Sequence, residues 1–402
     1  MKRRVLIIGA GQAAVQAAVS LRTEGFDDEI VVLGDEGRLP YQRPPLSKAY
    51  LSDGREDILA LRPSGFWEKS HISIEPDRPI IAVDRMEREV IDSKDKRLSF
   101  THLIFATGAR ARTLALPGGD LHGVLSLRTV ADATRLRTML DCHKRIVAIG
   151  AGFVGMETAA ALAGLGHQVT VVEAGERCLG RAVSGITSET LADGLRQRGV
   201  DLRLSAQIER IVGSEGIVFG VQLRDGPIIP ADIVLIATGA QPNDQLAAAC
   251  GLDTTIGICV DSHLRTSDDG IFAIGDCASF DCPREGRNLR LESVQNASDH
   301  GRSVALSILG RPVPHDRRPW FWSDQGMCKL QIAGLALPHD DTHTVLSGGK
   351  IAAFRFRRER LIAVETVNDP AEHIKARKIL AAGPGPTYDD LKAAGFSLGG
   401  LA

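Results

Sequence analysis

Apolar residues in this chain come in short unbroken runs that end in glycine. Residues 4–9, RVLIIG, form such a run, as expected of a strand buried on both faces of a parallel sheet. GAGQAAVQAAVSLRTEG follows, a glycine turn opening an alanine-rich helix that ends near Gly25, and the next strand, EIVVLGDE, ends in acid. The same order returns as RIVAIG at 145–150, AGFVGMETAAALAGLG, and QVTVVEAGE, which ends in the acidic Glu173 stretch. Each copy is followed by a further apolar run into ATGA, at 102–109 and at 232–240. A unit used twice in this order predicts two dinucleotide-binding modules, the second inserted into the first.

After the second ATGA, TSDDGIFAIGDCA (266–278) predicts a strand returning to the first module's sheet, and ESVQNASDHGRSVALSILG (292–310) predicts a helix. From RPVPHDRRPWFW onward the pattern changes to short strand-like runs, KLQIAG, IAAFRF and LIAVETV, and a helical DPAEHIKARKILAAG. This predicts a separate α+β domain of about 90 residues. The expected architecture is α/β: a first Rossmann-like domain of 1–109 plus 240–311, an inserted one of 110–239, and the α+β domain of 312–402.

Length agrees, since 402 residues suit two or three domains. A hydrophobic fraction of 44% with 24% charged residues is ordinary for a globular chain, and no stretch has the roughly 18 uncharged apolar residues of a membrane span. MKRR leads straight into the first strand, without room for a secretory leader, so the chain is expected in the cytoplasm. A net charge of −2 gives no global footprint for nucleic acid. Seven cysteines, an odd number, suit reduced thiols.

In Gly9-Ala10-Gly11-Gln12-Ala13-Ala14, Gly9 permits the tight turn, Gly11 lets a pyrophosphate approach the backbone, and the small Ala14 allows close helix–strand packing. Asp35 closes the following strand, where a carboxylate can bind a ribose. Gly150, Gly152 and Gly155 complete the second loop, and Glu173 holds the matching acidic position. Its charge would bind the adenosine ribose and repel a 2′-phosphate, which favours NADH over NADPH. Arg177 and Arg181 lie a few residues on, within reach of NADH phosphates or solvent.

Two such modules in this order resemble the flavoprotein reductases related to glutathione reductase, over essentially the whole chain. That resemblance implies FAD in the first module and NADH in the second. It also implies that Asp276 of the GD turn holds the ribityl chain, with Thr107 and Gly108 in the FAD site and Gly239 in the NADH site. Disulphide-reducing members carry a Cys-x4-Cys pair after the first acidic strand, where this chain has LPYQRPPLSKAY at 39–50. PYQRPPLSK and the distant PWFWSDQ at 319–325 are similar to fingerprints of the FAD-dependent ferredoxin reductases that serve bacterial cytochrome P450s and Rieske-type oxygenases.

Prolines would hold the first segment rigid and mount Arg43 and Lys48 beside the flavin, where fixed cations stabilise developing negative charge. The resemblance implies that Lys48 reaches the flavin and pairs with Glu157, that Trp322 lies beside flavin or nicotinamide, and that Glu292, Val294 and Gln295 stand where a helix N-terminus meets the flavin. Glu157 is placed in the NADH site as well, while Trp320 and Phe321 suit an aromatic core. Cys277 and Cys282 have Cys-x4-Cys spacing, but the first falls in the ribityl turn, so no redox disulphide is expected, and no second pair suggests zinc.

The implied activity takes hydride from NADH and passes electrons singly to a [2Fe–2S] ferredoxin, which feeds a P450 or, less favoured on ESV at 292–294, a Rieske oxygenase. The alternative reading on the same scaffold is a rubredoxin or monodehydroascorbate-type reductase, or an apoptosis-inducing-factor-like flavoprotein with mainly a binding role. From 311 onward there are 13 Lys and Arg against 10 Asp and Glu. Arg311, Arg317, Arg318, Arg355, Arg357, Arg358 and Arg360 therefore form an expected docking face for an acidic ferredoxin, with Arg355 and Arg357 on one strand face.

Overall fold

The computed structural model describes residues 3–400, and its contacts group the chain into two compact units. One comprises residues 3–42, 56–110 and 240–317, the other 43–55, 111–239 and 318–400.

The first unit is built on a parallel sheet in the order Ile271–Ala273, His102–Phe105, Arg4–Ile8, Glu29–Leu33, Ser73–Glu75. Its central strands are buried almost throughout, which explains their unbroken apolar runs. Helices Gln12–Thr23 and Val294–Ile308 pack on each other. The close approach is allowed by small residues: an added Cβ at Gly301 would lie 2.7 Å from the Gln16 side chain and 2.8 Å from Ala17 N.

The second unit repeats this design. Its parallel sheet runs Asp201–Arg203, Gln168–Val172, Arg145–Ile149, Ile233–Ile236, Val124–Ser126. Each glycine-loop strand thus lies between its acid-ended strand and its ATGA strand. The copies differ in the fifth strand. The first unit takes it from after the insertion, as expected of TSDDGIFAIGDCA, and the second takes it from the segment entering it.

The second unit also contains an antiparallel sheet, ordered Trp320–Gln325, Cys328–Gly334, Arg360–Val367, Lys350–Arg357, Asp341–Ser347. Helix Pro370–Ala382 covers one face over a core of Phe354, Val364, Ala376 and Leu380. The other face packs on the inserted module, with the Phe321 and Phe153 rings 4.5 Å apart. This packing groups 318–400 with 111–239, whereas sequence composition suggests separate domains. Residues 43–55 join the same unit, the Tyr50 hydroxyl lying 2.9 Å from Thr134 Oγ1.

The expected arginine face needs correction. Arg355 is 1% exposed and pairs with the equally buried Glu365. Glu365 also accepts from Ser184 N at 2.9 Å and Ser184 Oγ at 2.7 Å, at the N-cap of helix Gly185–Arg196. Arg357 pairs with Asp340 at 2.8 Å. Alternation does place both arginines on one side, since both reach the Leu337–Asp340 turn, but that side faces protein. Arg358 and Arg360 are exposed at the hairpin end, and in the first unit Arg311 pairs with Glu24 at 3.1 Å.

Candidate active site

In the first unit, Gly9 adopts φ +104°, and an added Cβ would lie 2.2 Å from Ala106 O. The protein itself requires that glycine. Gly11 differs, with an ordinary φ of −90° and no protein atom within 4 Å of an added Cβ. No packing within the protein therefore requires glycine at this position. Helix Gln12–Thr23 starts there with no side-chain cap and no acidic residue in its first turn, while helix Val294–Ile308 is capped by Ser293. Free amides and the positive helix end together form an anion seat. Ala14 is fully buried, and Asp35 is exposed after its strand.

Asp276 lies in the turn Gly275–Cys277. The Gly275 N–H donates to Nδ1 of the fully buried His300 at 3.1 Å, and Arg290 donates to the Asp276 carbonyl at 3.1 Å while pairing with Glu292 at 2.6 Å. Glu292 is therefore engaged by Arg290, which sequence reading missed. Burial, then the neighbouring His315, holds the His300 imidazole well below its ordinary pKa, so it stays a neutral acceptor. Val294 and Gln295 occupy the first turn of their helix, and Gln295 donates to Asp299. Thr107 Oγ1 donates to Asn243 O at 2.5 Å, and Gly108, at φ +65°, accepts from Asn243 N at 2.9 Å.

The second loop repeats the logic. An added Cβ at Gly155 would meet Gly150 O at 2.1 Å, but at Gly152 only Ala237 O, at 3.9 Å. Helix Phe153–Gly164 likewise begins without a side-chain cap or first-turn acid. Glu173 accepts from Ala151 N at 2.8 Å and Gly175 N at 2.7 Å, which fixes its carboxylate beside the loop. Arg177 donates to Val183 O and Gly180 O, both at 2.8 Å, and so braces its own loop, whereas Arg181 is exposed. Gly239, at φ +104°, has open space where a Cβ would lie. Both loops fit a dinucleotide pyrophosphate.

The proline-rich segment forms a 3₁₀ turn, Pro44–Ser47, with proline at its start, then a short helix, Ala49–Asp53. Arg43 donates to Arg128 O at 2.8 Å. Lys48 Nζ meets Glu157 Oε2 at 2.6 Å, the two side chains being 21% and 7% exposed. Ser47 Oγ donates to the same oxygen at 2.6 Å, and Ser323 Oγ to Oε1 at 2.7 Å. The pair expected from resemblance is thus joined by two serines that sequence reading missed, although each sits beside a highlighted residue, in LSK and in WSD. Trp322 alternates with Ser323 and faces the other way, its ring centroid 5.5 Å from that of Trp320, which lies under Arg377 at 3.9 Å.

Cysteine chemistry is absent from this cluster. The seven cysteines are free, and burial pushes the Cys277 thiol above its ordinary pKa, away from the reactive thiolate. Residues 3–301 match the family described as pyridine nucleotide-disulphide oxidoreductase, and residues 320–402 match a reductase C-terminal domain. The chain belongs to the pyridine nucleotide-disulphide oxidoreductases.

This is an FAD-binding, NAD(H)-dependent oxidoreductase family. Within it, the oxidoreductase lies among the ferredoxin reductases of oxygenase systems. Rhodocoxin reductase of Rhodococcus erythropolis is 44% identical over 381 residues, 94% of this chain and 89% of that protein. The solved ferredoxin reductase for the CYP199A2 system of Rhodopseudomonas palustris is 40% identical, with a TM-score of 0.95 over 99% of both chains. A solved covalent putidaredoxin reductase–putidaredoxin complex is 34% identical, with a TM-score of 0.90 over 94% of this chain and 93% of that one. No helix among the described residues is long and apolar enough to cross a membrane.

Proposed function

We propose that this flavoprotein takes hydride from NADH and passes electrons singly to an acidic [2Fe–2S] ferredoxin that feeds a cytochrome P450, with a Rieske-type oxygenase the less favoured terminus. One NADH would reduce two ferredoxins, giving NAD⁺, two reduced ferredoxins and a proton. The observation that carries this reading is the Lys48–Glu157 pair, whose lysine comes from a cysteine-free segment where disulphide-reducing relatives would need two thiols. Bound FAD supplies the change from two-electron to one-electron chemistry. The CYP199A2 system, named with one solved relative, supports the P450 branch.

In this reading residues 1–109 and 240–311 hold FAD, 110–239 hold NADH and 312–402 form the C-terminal domain. Gly9, Gly11 and Ala14 seat the FAD pyrophosphate, Asp35 a ribose and Asp276 the ribityl chain. Gly150, Gly152 and Gly155 seat NADH, and Glu173 selects against a 2′-phosphate. Lys48 and Arg43 supply positive charge to the flavin, and Trp322 covers it or the nicotinamide. The free thiols suit a reducing cytoplasm.

Reconstitution tests the proposal. Purified protein should carry FAD, reduce [2Fe–2S] ferredoxins with NADH far faster than with NADPH, and slow with rising salt more than ferricyanide reduction does, because charge steers transient electron-transfer complexes. FMN in place of FAD would overturn the cofactor assignment. Rapid NADH–ferricyanide turnover without acceleration by any [2Fe–2S] ferredoxin would overturn the partner.

A further inference from the structure

Glu157 is held from two sides, by Lys48 and Ser47 on Oε2 and by Ser323 on Oε1. Ser323 is completely buried, and its oxygen accepts from Gln325 Nε2 at 3.3 Å. A hydroxyl that accepts on one side has its single proton free for the other, and here that proton goes to the carboxylate. Alternation along Trp320–Gln325 puts Phe321, Ser323 and Gln325 on one face, and the Phe321–Phe153 ring contact fixes that face against the helix carrying Glu157.

Lys48 has three N–H donors. One reaches Glu157 and one the Pro44 carbonyl at 3.1 Å, while Ser47 Oγ lies at 3.5 Å, too far for a strong bond. The donor toward Ser47 is thus the most weakly held of the three. How much positive charge Lys48 presents depends on how strongly Glu157 offsets the ammonium. Neutral donors disperse the carboxylate's negative charge and fix its oxygens, which weakens that offset.

We infer that Ser323, backed by Gln325 and assisted by Ser47, is a positioning residue that sets how far Glu157 neutralises Lys48, and through Lys48 sets the reduction potential of the flavin. This rests on the reading of Lys48 as the cation that faces the flavin.

The test is an anaerobic dye-equilibration titration of the FAD-loaded protein, with the midpoint potential read from flavin absorbance. Lys48→Met should lower the midpoint. Ser323→Ala should lower it in the same sense by less, and slow flavin reduction at saturating NADH about tenfold, the scale of one hydrogen bond to a charged group, with KM little changed. Ser323→Thr should restore both by returning the hydroxyl. In a Glu157→Gln background Ser323→Ala should add nothing, because the hydroxyl acts through the carboxylate.

A lowered midpoint in Lys48→Met with none in Ser323→Ala overturns the serine's role alone. An equal Ser323→Ala shift in both backgrounds overturns its action through Glu157. An unchanged midpoint in Lys48→Met overturns the reading of Lys48, and this inference with it. Should Ser323→Ala fail to fold, Ser47→Ala puts the same question to the other hydroxyl, and an unchanged midpoint there overturns the inference.

Discussion

Replacing Glu365 by alanine removes a carboxylate that the Ser184 N–H, the Ser184 hydroxyl and the Arg355 guanidinium share. Arg355 and Glu365 are each 1% exposed, so the variant leaves a cation buried without its partner. Breaking such a pair from one side costs about 3–5 kcal/mol, and Ser184 also loses the acceptor of its backbone N–H at the start of helix Gly185–Arg196. At about 2–4 °C per kcal/mol for a domain of this size, the transition of the second unit should fall by roughly 6–20 °C. Differential scanning calorimetry of the FAD-loaded protein reads this directly. A companion variant, Glu365→Leu with Arg355→Met, removes both charges and should recover most of the loss, because no unpaired ion remains. A decrease below about 2 °C in Glu365→Ala, or a double variant no better than the single, would refute the view that this pair ties the C-terminal sheet to the inserted module.

Gly11→Ala and Gly152→Ala should leave the thermal midpoint unchanged while weakening FAD and NADH binding respectively, since an added Cβ meets open space or only Ala237 O at 3.9 Å; Gly155→Ala, 2.1 Å from Gly150 O, should cost stability itself. Calorimetry beside cofactor titration separates the two classes. Glu173→Ala should raise KM for NADH and relax rejection of NADPH in steady-state assays, and its loss of the Ala151 and Gly175 N–H partners should lower loop order as well. Burial, then Arg377, lowers the His373 pKa from 6.5 to about 4. Above 6.5 both the folded and unfolded imidazoles are neutral. As pH falls from 6.5 toward 4 the unfolded chain takes up a proton that the folded one refuses, so stability is lost across that window. Thermal midpoints measured against pH should show this slope, and His373→Gln should flatten it.

The doubled module was legible because its signals are local. A parallel strand buried on both faces needs an apolar run, and the turn after it needs Gly9 or Gly150 for a positive φ. The acid closing the next strand lies within the same βαβ unit. These properties are settled by neighbours a few residues away, so sequence alone determined the fold class and both dinucleotide loops, while the family resemblance, not the local pattern, supplied the FAD and NADH assignment.

Tertiary structure decided what distant residues do to one another. Lys48 and Glu157 are 109 positions apart, and Ser323 is 166 from Glu157; resemblance suggested the first pairing, and nothing in the spacing indicated the serines. Arg355 shows the limit of periodicity. Alternation says which strand residues share a face, but not whether that face meets water or another element, and here it meets Glu365 and the start of a helix 181 positions away. A charge's role depends on the dielectric and partners around it, and only the packed chain supplies those.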